Sequence, residues 1–98
     1  MPELLLIAWR GIPAQLLARD GRRSARRELA PRFAEAIDRA AMRGGARDET
    51  AYLAGWTRTP LGPCGEDLDS AVADAAGRIE AEYDAERLAA LVQAGGVA

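Results

Sequence analysis

Histidine and lysine are absent from the 98-residue chain, and cysteine occurs once, as Cys64. Histidine is the most common general base and metal ligand in proteins, so its absence removes both roles. One cysteine without histidine cannot complete a zinc site of the usual Cys/His kind, or an iron–sulfur cluster held by four thiolates, within one chain. Schiff-base chemistry needs a lysine amine and is excluded too. We therefore expect no metal, no cofactor and no catalytic residue.

Long hydrophobic runs are also missing. The longest purely apolar segment is the six-residue run Leu4–Trp9, far below the roughly 20 residues that span a bilayer. The N-terminus has no basic region, and Arg10 ends its apolar stretch too early for a signal peptide. A single cysteine cannot form an internal disulfide, which is typical of a reducing compartment. We expect a cytoplasmic protein with one domain over residues 1–98, since domains usually take about 100–200 residues.

Charge is present in both signs but is unevenly distributed. All 13 basic residues are arginine, the cation that favours bidentate contacts with carboxylates and phosphates. Residues 1–47 carry ten arginines and five acids, a net charge of +5, whereas residues 48–98 carry three arginines and ten acids, a net charge of −7. The two halves could attract each other within one fold, or each could offer a face to a partner.

The first third of the chain predicts a small sheet. The apolar run starting at Leu4 predicts a strand over residues 4–10, after which Pro13 interrupts the chain. Strands over 14–19 and 22–29 follow, joined across Asp20-Gly21, a dipeptide typical of type I′ hairpin turns. These segments predict a three-stranded, mainly antiparallel sheet.

Four helices are predicted after the sheet. Phe33, Ile37, Ala40 and Ala41 form an amphipathic stripe on a helix over 31–43, which Gly44-Gly45 ends. A second helix over 49–58, capped by Asp48, places Tyr52, Leu53 and Trp56 on one side and precedes a Pro/Gly loop over 59–65.

The apolar spacing then predicts helices over 66–83 and 85–94. The slip between them is explained by a break at Asp84, which caps the last helix, and Gly95-Gly96 ends it. The predicted fold class is therefore α+β, with a small sheet followed by a helical layer.

Several segments together resemble a known family. They are Trp9-Arg10-Gly11-Ile12-Pro13, Leu29-Ala30-Pro31-Arg32-Phe33, the helical run from Ala36 to Met42, Tyr52-Leu53 with Trp56, and Pro63-Cys64. This pattern, over roughly residues 4–90, is similar to a small bacterial family described simply as "virulence factor". No catalytic residues are assigned in that family, so none are carried over. Its stand-alone members lie beside genes for corrinoid- and folate-dependent methyl transfer, which implies an accessory role in one-carbon metabolism.

One group of basic residues is a candidate anion-binding or partner-binding site at the predicted hairpin: Arg19, Arg22, Arg23, Arg26 and Arg27. Arginines in such a cluster could hold phosphates or carboxylates. A nucleic-acid partner is disfavoured because the isoelectric point of the whole chain is about 5.1. The alternative is a solvated turn, or a face paired with the acidic half of the chain.

Candidate interface residues lie elsewhere: Trp9, Arg10, Asp38, Arg39, Met42, Trp56 and Cys64. The two tryptophans could be interface anchors, although in a small core they are more often packing residues. Met42 lies on the side of its helix opposite the apolar stripe. We expect the later helices to cover it, with another protein as the alternative. Cys64 stands just before a helix start and could be a nucleophile or a packed loop residue.

Function is predicted from these features as a non-catalytic accessory or subunit-like protein that docks on a larger enzyme. The resemblance implies that this enzyme belongs to folate- or corrinoid-dependent one-carbon metabolism. One alternative is a small enzyme or cofactor carrier that uses Cys64, Asp38 and Arg39, and another is a nucleic-acid-binding regulator that uses the arginine hairpin. No membrane partner is expected, and the oligomeric state is left open.

Overall fold

A computed structural model describes residues 1–43 and 49–94 and confirms an α+β fold. Within these ranges it contains an antiparallel sheet and four helices. The elements in chain order are β1 (Glu3–Trp9), β2 (Ile12–Asp20), β3 (Arg23–Glu28), α1 (Pro31–Arg43), α2 (Glu49–Ala54), β4 (Trp56–Pro63), α3 (Leu68–Glu82) and α4 (Ala85–Gln93).

The sheet has four strands in the order β3-β2-β1-β4, and every neighbouring pair is antiparallel. The prediction of three strands was therefore wrong by one. The predicted helix over 49–58 ends at Ala54, and Trp56 begins the strand that replaces most of the predicted loop over 59–65. Two prolines lie in this strand, which an edge position tolerates because one row of its backbone N–H groups makes no ladder bond.

The turn at Asp20-Gly21 differs from its predicted type. Asp20 pairs with Arg23, so the two turn residues are Gly21 and Arg22. Gly21 has a φ of 61° and Arg22 has no positive φ, which is the pattern of a type II′ turn and not the predicted type I′. Positive φ at both central residues occurs instead between β1 and β2, at Arg10 with 46° and Gly11 with 86°.

Pro13 does not interrupt the chain as predicted but lies inside β2, opposite Ala8 and beside an irregularity in the β1–β2 register. The β2–β3 pairing begins only at Gln15. The missing N–H of Pro13 therefore interrupts no hydrogen bond to β3, which explains why a strand can include it.

The main core lies between one face of the sheet and the helices. Its α1 members include the predicted stripe, with Phe33 and Ala40 fully buried and Ile37 nearly so. Helix α3 packs on β2 and β3, while α1 packs on β2 and α4. The alternating sheet residues Leu5, Ile7 and Leu17 form a second apolar cluster that contains no helical residue. The helices therefore cover one face of the sheet.

Helix caps determine where α3 and α4 begin. The carboxylate of Asp84 accepts a hydrogen bond from the backbone N–H of Arg87 at 2.8 Å, so the predicted cap of α4 is confirmed. Asp67 caps α3 in the same way through Ser70, which starts this helix two residues later than predicted. The predicted cap at Asp48 and the predicted stops at Gly44-Gly45 and Gly95-Gly96 lie outside the described residues.

A polar link joins the start of α1 to the end of α3. The Glu80 carboxylate accepts a hydrogen bond from the backbone N–H of Ala30 at 2.8 Å. The guanidinium of Arg32 donates to the backbone carbonyls of Glu80 at 2.7 Å and Tyr83 at 3.4 Å. A cation at the carbonyl end of a helix is favoured by the helix dipole, so this link fixes the packing of the two helices.

None of the helices in the described ranges has the length and hydrophobicity of a membrane span.

Candidate functional site

The face of the sheet opposite the helices is the first candidate surface, and we call it the open face. Directly opposite residues of neighbouring antiparallel strands point to the same side. Three rows cross this face: Ser24, Arg19, Glu3 and Pro63; Arg26, Leu17, Leu5 and Pro60; and Glu28, Gln15, Ile7 and Arg58. The centre of the face is apolar, and arginines lie on both sides of that centre.

The apolar centre of the open face is sheltered, although its cluster contains no helical residue of the described ranges. Leu5, Leu17 and Ile7 are only 4%, 5% and 8% exposed. Arg26 lies beside Leu17, and Arg58 lies beside Ile7. Arginine side chains commonly lay their methylene stems over apolar neighbours while the guanidinium remains in water. The surface presented to a partner is therefore basic above an apolar floor.

The five hairpin arginines do not form one surface. Ala25 packs against the main core. Arg23 and Arg27 are each two residues from Ala25 on β3, so they point to the same side of the strand. Arg19 and Arg26 lie on the open face, and Arg22 lies in the turn. The structure thus divides the predicted cluster among two faces and a turn.

Ion pairs further separate these arginines. Arg19 pairs with Glu3, and Arg23 pairs with Asp20 at 3.0 Å. Arg26 and Arg58 make no ion pair within 4 Å with any residue that the structure describes. These two line a shallow pocket of about 340 Å³ on the open face, together with Trp56. Sequence reasoning missed Arg58 because it assigned that position to a helix.

The basic and acidic halves make no ion pair with each other among the residues that the structure describes. In the described ranges, the ion pairs within 4 Å involve only residues of the first half. Arg23 does line a shallow pocket with Glu66, Asp67 and Asp69 at the start of α3. Among the described residues, the two halves therefore do not neutralise each other through ion pairs.

Both edges of the sheet are protected against pairing with another strand. β3 carries Arg23, Arg26 and Arg27, which are all exposed, and charged side chains at an edge oppose edge-to-edge association. β4 carries Pro60 and Pro63, which cannot donate to a ladder. A role in edge protection accounts for part of the arginine content of the hairpin.

A cleft next to the open face is the second candidate surface, and we call it the aromatic cleft. It has a volume of about 410 Å³ and lies among α1, α2 and the strands β2, β3 and β4. Its lining residues are Ala14, Gln15, Glu28, Leu29, Pro31, Ala34, Ile37, Asp38, Tyr52 and Trp56. The rings of Tyr52 and Trp56 stand edge to face, with their centroids 5.9 Å apart and an interplanar angle of 82°. Sequence reasoning singled out Asp38 and Trp56 but missed Glu28 and Tyr52 as their neighbours.

Trp9 holds Tyr52 in place at the back of this cleft. Its ring is fully buried, and its Nε1 donates a hydrogen bond to the Tyr52 carbonyl at 2.7 Å. The two rings stack with centroids 5.8 Å apart, and the guanidinium of Arg10 lies 4.8 Å from the Trp9 ring centroid. Gly55 passes directly against the ring of Trp9. Trp9 therefore packs inside the chain, in agreement with the alternative that makes it a core residue.

The family model described as "Virulence factor" matches residues 7–92, which include the end of β1, all of the elements from β2 to α3, and α4 except for its last residue. The chain belongs to this family. No curated protein and no solved structure matches it. The matched range contains both the open face and the aromatic cleft of this virulence-factor-family domain, apart from the first residues of β1.

The remaining sequence candidates of this family member do not converge on one site. Asp38 lines the aromatic cleft, whereas Arg39 lines a separate groove of about 360 Å³ between α1 and α4. Met42 is 73% exposed, so the expectation that the later helices cover it was wrong. Helix α4 packs on α1 through the region of Leu88, on a side of α1 that does not include Met42.

Cys64 follows β4, and its backbone N–H donates to the carbonyl of Pro2 at 3.1 Å. Its side chain is half-buried against the main core and lines neither the aromatic cleft nor the α1–α4 groove. Asp67, and not Cys64, occupies the N-cap of α3. Hydrogen bonds from the backbone N–H and hydroxyl of Ser70 lower the pKa of Asp67 below its ordinary value of 3.8. No group of metal-binding side chains occurs in the described part of the chain.

Proposed function

We propose that this family member is a non-catalytic accessory protein that docks on a larger protein through the open face. One observation carries the proposal: Arg26 and Arg58 stand on a sheet face that no helix covers, without a carboxylate partner among the described residues. Two unpaired guanidinium groups are complementary to carboxylates on a partner. The occupant that we propose is therefore an acidic protein surface.

Trp56 gives this surface a residue of the kind that anchors interfaces. It is half-buried, and it packs against both the main core and the Leu5, Ile7 and Leu17 cluster. Tryptophan and arginine are both enriched at binding hot spots. A docking face formed by Trp56, Arg26 and Arg58 would combine one aromatic anchor with two directional charges.

The resemblance to stand-alone family members supports a specific class of partner, namely enzymes of folate- or corrinoid-dependent one-carbon metabolism. The open face itself supports only an acidic partner. The two parts of the proposal can therefore fail independently, and the experiment below distinguishes them.

The experiment begins with affinity purification of the tagged chain from its native host at native expression, followed by mass spectrometry. The double variant Arg26→Glu/Arg58→Glu is purified in parallel. The control is Arg27→Glu/Arg78→Glu, which makes the same change of charge but replaces an arginine on the other face of β3 and one on α3. All four side chains are exposed, so we expect neither variant to change the fold. An unchanged circular dichroism spectrum checks this first.

We expect a near-stoichiometric enzyme that is retained by the wild type and by the control but lost from the open-face variant. With the purified partner, the open-face variant should reduce the association rate by about tenfold or more and remove most of its salt dependence. Equal retention by both variants would overturn docking through the open face. Recovery of an enzyme unrelated to one-carbon metabolism would overturn only that part of the proposal. Co-elution of nucleic acid with a steep salt dependence would favour the regulator instead.

A further inference from the structure

The aromatic cleft has the size and lining of a small-molecule site. Its volume of about 410 Å³ falls within the roughly 300–1,000 Å³ typical of such sites. Leu29 and Ile37 are buried side chains that line it, and Ala14, Ala34 and Pro31 add further apolar surface. A single side chain of a partner would leave much of this space unfilled, so the size favours a free ligand.

The charge in this cleft has one sign. Glu28 and Asp38 are the charged residues of its lining, and no arginine lines it, although the chain contains 13. Neither carboxylate makes an ion pair within 4 Å with a residue in the described ranges. The cleft is therefore negative, whereas the neighbouring shallow pocket of the open face, lined by Arg26 and Arg58, is basic. A ligand that is complementary to the cleft carries a positive charge.

The aromatic walls favour the same kind of ligand. Tyr52 and Trp56 stand at 82° to each other with their ring centroids 5.9 Å apart. Two rings at this angle form a corner that can place a ring face against one group and a ring edge against its neighbour. Aromatic faces attract cations electrostatically, and tryptophan does so most strongly. Carboxylates and aromatic walls together are the chemistry that recognises an ammonium or guanidinium group attached to an apolar body.

We propose that the aromatic cleft binds a small organic cation. Its charged group faces Glu28 and Asp38, and its apolar body packs among Tyr52, Trp56 and Leu29.

This site is distinct from the docking function proposed above, although Glu28 also ends one row of the open face. Of the residues that the structure describes, carboxylates and no arginine line the cleft, whereas Arg26 and Arg58 and no carboxylate line the neighbouring shallow pocket. A free ligand can be tested on the isolated chain.

Three probes with the same apolar body test the proposal: 2-phenylethylammonium, 2-phenylethanol and 3-phenylpropanoate, which carry charges of +1, 0 and −1. Binding is followed by protein NMR, through the shifts of the Trp56 indole N–H and the Ile37 methyl groups. We expect the cation to bind with a Kd on the order of 1 mM, given its few non-hydrogen atoms. We expect the alcohol to bind about three- to tenfold more weakly and the anion not to bind.

Isosteric variants test the role of the carboxylates. Asp38→Asn and Glu28→Gln should each weaken binding of the cation by about two- to fivefold, the range expected for an exposed charge pair. The double variant should lose most of the preference for the cation over the alcohol and keep only the part that the aromatic faces supply. Glu35→Gln is the matched control, because Glu35 lies on the same helix but lines the α1–α4 groove. It should leave all three affinities unchanged.

Three results would overturn the proposal. The first is equal binding of the cation and the alcohol to the wild type. The second is the absence of probe-dependent shifts at Trp56 and Ile37 up to about ten times the expected Kd. The third is selective binding of N-acetyl-arginine amide in preference to 2-phenylethylammonium, which would assign the cleft to a partner's side chain and not to a free ligand.

Discussion

Gly55 is the position where the structure makes its sharpest prediction about stability. A Cβ atom at this residue would lie 2.5 Å from Nε1 and 2.7 Å from Cε2 of Trp9. The indole ring is fully buried, stacks on Tyr52 and donates its N–H to the Tyr52 carbonyl. The ring cannot move away without disturbing these contacts. Gly55→Ala should therefore force a rearrangement of the core.

The magnitude follows from two contributions. Overpacking a well-packed core costs about 1–3 kcal/mol, and weakening the Trp9–Tyr52 hydrogen bond adds about 0.5–1.5 kcal/mol. We expect Gly55→Ala to lower the free energy of unfolding by about 2–4 kcal/mol. For a domain of this size, such a loss lowers Tm by roughly 10–25 °C.

The assay is urea denaturation followed by circular dichroism, with the near-ultraviolet spectrum as a report on the tryptophan environment. Gly77→Ala is the control, because Gly77 lies within α3 and a Cβ there meets nothing within 4 Å. Removing a glycine from a helix interior should raise the free energy of unfolding by about 0.5–1 kcal/mol. The reasoning would be refuted if Gly55→Ala stayed within about 0.5 kcal/mol of the wild type with an unchanged near-ultraviolet spectrum.

Three further substitutions test the helix caps and the α1–α3 link. Asp84→Ala should cost about 1 kcal/mol by removing the cap of α4, and an Asp84→Asn control should retain most of it in urea denaturation. Because the pKa of Asp67 is lowered by Ser70, its cap contributes stability above pH 3.8 that is lost as the pH falls through the folded-state pKa. Asp67→Asn cannot titrate and should therefore show a smaller loss of Tm than the wild type under acid conditions; an identical acid profile would contradict this cause. Arg32→Met keeps the apolar stem but removes donation to the Glu80 and Tyr83 carbonyls, so we expect a loss of about 1–2 kcal/mol in urea denaturation, and an unchanged midpoint would show that the link is dispensable.

Local signals in the sequence were sufficient for most of the fold. The apolar run at Leu4, the turn at Gly21 and the stripe that starts at Phe33 each depend on neighbours within a few residues. These signals, with the later apolar spacing and the cap at Asp84, predicted three strands and the positions of α1, α3 and α4 to within about two residues.

The fourth strand could not be predicted in the same way. Pro60, Gly62 and Pro63 disfavour a strand on propensity, and β4 forms by pairing with β1, which lies about 50 residues earlier in the chain. The alternation of threonine with other residues after Trp56 was the one available signal. Without this strand, Arg58 could not be assigned to a face or Trp56 to the edge of the sheet.

The candidate site shows the same limit more clearly. Residue type was enough to single out Asp38, Trp56 and Arg26. Their grouping was not predictable, because it places Asp38 with Trp56 and separates Arg26 from its neighbour Arg27. Arg26 and Arg27 are separated because side chains alternate between the two faces of a strand. Asp38 and Trp56 come together because α1, β2 and β4 line the same cleft.

Trp56 lines both the aromatic cleft and the shallow pocket of the open face, so it links the two proposals, which substitutions on either side of it can separate. Trp56→Leu should weaken docking of the acidic partner and binding of 2-phenylethylammonium together, because each surface loses the same ring. Arg26→Glu should impair docking alone, and Asp38→Asn should impair cation binding alone. The folded fraction of each variant is checked by NMR, since Trp56 also contacts the core. If Arg26→Glu lowered the affinity for the cation as much as Trp56→Leu did, the two surfaces would be one site, and the assignment of separate partners by charge would be wrong.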